Sequence, residues 1–126
     1  NAQIQGFKIP KIIFNFLDGI KPGNGKYLIE LFHKLLENSA TEIITFMLVR
    51  QFRLMIALSS EGSETIDELT RMAPWQRGKL EKQTSLFQKD QLIKLYSQLY
   101  NLDLGQKTGK LSMPMNNAID IFLLNI

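Results

Sequence analysis

The chain has 126 residues, 44% apolar and 21% charged, with a formal net charge of +3 at pH 7. That length predicts one domain with a substantial core, and the mixed charge and ordinary apolar fraction exclude a disordered chain. With no cysteine present, disulfides, thiolate metal sites and cysteine nucleophiles are excluded together.

In chain order the sequence reads as helices separated by short polar punctuation. Ile9, Ile13, Phe16, Leu17 and Ile20 fall on one face of a first helix, with Pro10 in its first turn, and residues 21–25 (KPGNG) end it. Leu28, Leu31, Phe32, Leu35 and Leu36 form the apolar stripe of a second, with Lys26, Glu30 and Lys34 four apart on its wet side. Residues 39–58 are apolar on most of the circumference, which predicts the central, most buried helix. Ser39 or Thr41 would cap it, and Glu42 stands where a capping box needs it.

Residues 59–64 (SSEGSE) form a turn, and two shorter helices follow, starting at Thr65 and Pro74. Leu92, Leu95, Tyr96, Leu99 and Leu102 mark a long helix that ends near Gly109. After Pro114 the last segment, 116–126, is almost wholly apolar and is expected inside the bundle. No strand-like alternation interrupts this series, so the expected fold is all-α: a compact bundle of about seven helices.

The run Gly105-Gln106-Lys107-Thr108-Gly109-Lys110 imitates a phosphate-binding loop but fails its spacing. Three residues rather than four separate the glycines, Leu111 stands where a hydroxyl should bind magnesium, and a helix rather than a strand precedes the run. It reads instead as a helix end. Asp103 and Lys107 pair at i, i+4, with Lys107 near the negative end of the dipole and Gly109 as a left-handed cap.

His33 is the only histidine and, without cysteines or a patterned acidic neighbour, builds neither a metal site nor a triad. No carboxylate pair has the apolar flanks that acid–base catalysis needs. The chemistry of the chain therefore predicts no enzyme, no metal and no cofactor. There is neither a basic-then-apolar leader nor an uncharged run of about eighteen residues, so no membrane association is expected.

Two features point to binding. The only tryptophan, Trp75, opens a helix that also carries Arg77, Lys79 and Lys82, within a stretch (71–94) where six cations face two carboxylates. A helix start with basic side chains can hold a phosphate and an indole can stack on a base, whereas an ordinary amphipathic helix would pack the indole into the core. Residues 64–87 also fit a stand-alone helix-turn-helix DNA-binding unit. In the central helix, Arg50 and Arg53 interrupt apolar surroundings, either pairing across a subunit contact or reaching to the bundle surface.

Several stretches in register, Ile13–Ile20, Leu28–Asn38, Leu48–Leu58, Ala73–Phe87 and Leu99–Gly109, resemble the C-terminal domain of the delta subunit of bacterial DNA polymerase III. The arginine pair of RQFR (50–53) and the Asp103…Lys107-Thr108-Gly109 ending are the most specific of these elements. The resemblance implies a helical collar domain that joins gamma/tau-type and delta-prime-type subunits into the ring that loads sliding clamps during replication, in the cytoplasm. It implies no ATPase activity. It places contact with the sliding clamp in an upstream AAA+-type module that these residues lack, and it sets the Trp75 helix near neighbouring subunits or primer–template DNA.

Overall fold

The computed structural model describes residues 10–60 and 67–126. Among them are seven helices and no strand: α1 (Ile12–Asp18), α2 (Gly25–Leu36), α3 (Thr41–Leu58), α4 (Asp67–Thr70), α5 (Pro74–Thr84), α6 (Lys89–Thr108) and α7 (Met115–Leu124). The expected all-α bundle is therefore the fold. Ile9 and the start signal Thr65 lie outside the described residues.

The apolar stripes decide the packing. α3 lies against α1, α5 and α6, α2 against α1 and α7, and α6 against α7. The expectation that residues 39–58 form the central helix holds, since Ile44, Leu48, Phe52, Leu54 and Met55 are all essentially inaccessible. Phe52 is a junction. Its ring meets Phe87, between α5 and α6, edge-on at 6.5 Å and Phe122 of α7 at 5.8 Å, geometries worth about 0.5–1.5 kcal/mol each beyond area burial. Phe16 of α1 and Phe32 of α2 stack at 6.3 Å.

A buried amide pair fastens this core. Gln83 of α5 and Gln51 of α3 are each 8% exposed. The Gln51 Nε2 donates to Gln83 Oε1 at 2.8 Å, and Gln83 Nε2 donates to the carbonyls of Leu17 at 2.8 Å and Ile20 at 2.9 Å. A helix leaves its last carbonyls without intrahelical donors, so Gln83 satisfies the C-terminal end of α1 from across the core. Asn24 completes the cap by donating from Nδ2 to the Gly19 carbonyl at 2.7 Å.

Elsewhere the local signals meet tertiary reality unevenly. Pro74 opens α5 at its first position, as expected, and Gln76 accepts from the Ala73 backbone N–H at 3.3 Å. Pro10 precedes α1 and accepts from the Ile13 N–H at 3.1 Å. The capping box expected at Ser39 does not form. α3 begins after Ala40, which has no polar side chain, and the Thr41 hydroxyl turns away to donate to Asn116 of α7.

The end of α6 is a Schellman motif. Gly109 sits at φ 71°, its N–H reaches the Gln106 carbonyl at 3.4 Å, and the Lys110 N–H reaches the Gly105 carbonyl at 2.9 Å. α7 departs from expectation, since Ala118, Ile119, Phe122 and Leu123 are buried but Ile121 and Leu124 are 50% and 66% exposed. It lies on one side of the bundle, against α2 and α6, so only one of its faces is covered. At the other end of that contact, a Cβ on Gly25 would meet the Leu123 carbonyl oxygen inside contact distance and Leu124 Cα at 3.1 Å, so the α2–α7 approach requires glycine.

Replacing Gln83 by leucine keeps the volume but strips donors from the Leu17 carbonyl of α1 and the Ile20 carbonyl just beyond it, and the acceptor from Gln51. The expected cost is about 2–4 kcal/mol, read as a lower urea midpoint with an unchanged m-value. An unchanged midpoint would show that the amide pair is dispensable.

Candidate functional site

α5 grows from a sequence with little apolar surface: Leu80 faces the core, Gln83 and Thr84 follow it, and the remainder faces outward. That phase places Trp75 at the surface, 68% exposed. The core packing an amphipathic reading would give it is therefore not what the chain adopts.

Trp75 stands beside a groove of about 540 Å³ between α1, α3, α4 and α5. Leu17, Met47, Leu54 and Met72 line its interior, and Phe14 of α1, itself 51% exposed, also borders it.

The basic residues expected to act with Trp75 are brought together only in part. Lys79 Nζ lies 2.7 Å from Asp18 of α1, and Arg77 Nε lies 3.4 Å from Glu81. Lys82 is exposed in the last turn of α5. Lys79 and Arg77 thus already face carboxylates of their own chain, which blunts the positive field that a phosphate would meet.

Arg50 and Arg53 converge on one carboxylate. Arg50 Nε donates to Glu68 Oε2 at 3.0 Å, and Arg53 donates to both Glu68 oxygens at 2.7 Å and 3.0 Å. The two arginines therefore hold α4 onto α3; Arg50 lines the groove, while Arg53 stays half exposed. Sequence reasoning missed Glu68, Asp18, Phe14 and both glutamines. Gln51 carried a signal, since it falls in phase with the buried Ile44, Leu48 and Met55 on one helix face.

At the far end of α3 a second groove of about 460 Å³ runs between α3 and α6, lined by Phe46, Val49, Asp103 and Lys107. Thr45 also lines it, and its buried hydroxyl has no hydrogen-bond partner. Asp103 and Lys107 form the expected pair at 2.9 Å, and the Thr108 hydroxyl donates to the Leu104 carbonyl, so this run closes a helix. His33 is exposed, as expected, and it meets Asp120 of α7 at 2.8 Å. Among the described residues no three His, Asp or Glu side chains gather as a metal site would need, and no helix is long and apolar enough to cross a membrane.

Because Trp75 is the only tryptophan, its fluorescence reports this surface alone. A red-shifted emission, quenched by acrylamide almost as freely as that of a model indole, is expected. Trp75→Ala should change stability by no more than about 0.5 kcal/mol. A blue-shifted, protected emission or a large stability loss would place the ring in the core.

A comparison with curated proteins and another with solved structures found no match. The family described as DNA polymerase III delta subunit, C-terminal domain, matches over residues 11–126, from just before α1 to the end of α7. A match across all seven helices shows that the chain belongs to the family of C-terminal domains of the DNA polymerase III delta subunit.

Proposed function

We propose that the chain is a non-catalytic assembly domain, the collar part of a delta-type clamp-loader subunit. It acts as one folded unit in the cytoplasm and joins gamma/tau-type and delta-prime-type subunits in a ring. Family membership supplies the clamp-loader setting. The observation that carries the assembly role is the distribution of uncovered apolar side chains. Phe14, Phe46, Trp75, Tyr100, Ile121 and Leu124 are each at least half exposed, and they sit on five different helices. Single exposed apolar residues are ordinary on a monomer, whereas large ones on several faces suit a domain with a neighbour on either side.

The Trp75 helix, with Arg77, Lys79 and Lys82, is assigned to a contact with a neighbouring subunit, and Arg53 to the margin of that contact. The intramolecular pairing of Lys79 and Arg77 favours protein over primer–template DNA as its partner. The same pairing weighs against a stand-alone helix-turn-helix reader. Contact with the sliding clamp belongs, in this reading, to another part of the delta subunit.

Sedimentation of the chain with purified gamma/tau-type and delta-prime-type collar fragments tests this reading. A stoichiometric hetero-complex that persists as salt rises is expected. Duplex binding by the chain alone, collapsing steeply with salt and accompanied by no complex with either fragment, would replace the assembly role with a DNA-binding one.

A further inference from the structure

We infer that the groove between α1, α3, α4 and α5 is the seat of a protein segment from another loader subunit. That segment places a bulky apolar side chain between Phe14 and Trp75 and sets a carboxylate against Arg71. The assignment rests on the assembly reading and names where a partner docks and with what chemistry.

About 540 Å³ is the volume of a site for one or two large side chains. Met47 and Met72 line it and are only partly buried; an unbranched, polarisable thioether adapts its shape to an incoming apolar group. Phe14 and Trp75 border it from different helices and are 51% and 68% exposed. Tryptophan is among the residue types enriched at the energetic centre of protein contacts.

The charges then select the occupant. Arg50, Arg71 and Lys79 line the groove against Asp18 and Glu68, three cations to two carboxylates. Both carboxylates are engaged, Asp18 by Lys79 at 2.7 Å and Glu68 by Arg50 at 3.0 Å. Arg71 differs. It reaches Asp67 only at 3.5 Å, and the two side chains are 80% and 81% exposed, so that water screens the pair heavily. Exchanging Asp67 for a partner carboxylate in a less hydrated setting therefore costs little and gains a charge-assisted bond. A nucleic acid fits less well, because a run of phosphates would find Lys79 and Arg50 already paired, with only Arg71 held loosely, over a floor of methionine and leucine.

Fluorotryptophan incorporated at Trp75, the sole tryptophan, gives one fluorine NMR signal from the whole chain, and unlabelled partners stay silent. On titration with gamma/tau-type or delta-prime-type subunits the signal should shift and broaden to a stoichiometric end point. Arg71→Glu and Met72→Glu should each weaken that association at least about tenfold, with circular dichroism melts confirming that the variants fold. A complex seen by sedimentation, with the signal unmoved and Arg71→Glu binding normally, would overturn the groove assignment and leave the assembly role standing. Absence of a complex with every partner would remove both. A shift produced by primed DNA alone, and abolished by salt, would overturn the assignment in favour of a nucleic-acid contact.

Discussion

The side-chain amide of Gln83 holds together what the apolar stripes alone would leave loosely oriented. Hydrophobic burial is non-directional, so it draws α1, α3 and α5 into contact without fixing their rotation. The hydrogen bonds from Gln83 to Leu17 and Ile20, and the one it accepts from Gln51, are directional and buried, so an error in helix rotation would orphan several polar groups at once. With Gln83 locked inward beside Leu80 and Thr84, the buried face of α5 is fixed. Trp75 lies about half a turn round the helix from Thr84 and so faces outward.

The charged side chains divide the surface in a complementary way. Lys79 with Asp18, and Arg50 and Arg53 with Glu68, tie α5 to α1 and α4 to α3 around the main groove. These partly exposed pairs add little stability individually, but they bring cations and carboxylates of one chain into register and lower the charge a partner meets. Large apolar side chains, Phe14, Phe46, Trp75 and Leu124 among them, stay uncovered between these pairs. A surface of this kind suits association with proteins better than attraction to a polyanion, consistent with the assembly role proposed for this member of the delta C-terminal family.

Much of this architecture was legible in the sequence because the helices obey their own period. Ile13, Phe16, Leu17 and Ile20, or Leu28, Leu31, Phe32 and Leu35, announced their buried faces directly, and Gly109 announced the end of α6. Capping at α3 was not legible, because Ser39 and Thr41 both had the right chemistry and only the extended backbone of Ala40 decided between them and neither. The exposure of Trp75 was hidden for a different reason. α5 has no strong apolar stripe, so its rotation is set by a lone leucine, Leu80, together with two polar residues, Gln83 and Thr84, that a sequence reading assigns to solvent. The partners of Arg50 and His33 were invisible because they lie 18 and 87 residues away, where no local period reaches. An apolar last helix also read as wholly buried, yet Leu124 lies open because α7 is covered on one side only.

Hydroxyl-radical footprinting of the chain, free and assembled with the other loader subunits, tests whether these exposed apolar residues are covered on assembly, because it reads side-chain exposure residue by residue. Trp75, Phe14 and Met72 are expected to lose reactivity on assembly, while residues already buried, such as Phe52 and Met55, stay unreactive in both states. Unchanged reactivity at every exposed apolar residue of the chain, with the other subunits present in saturating amounts, would contradict the assembly role.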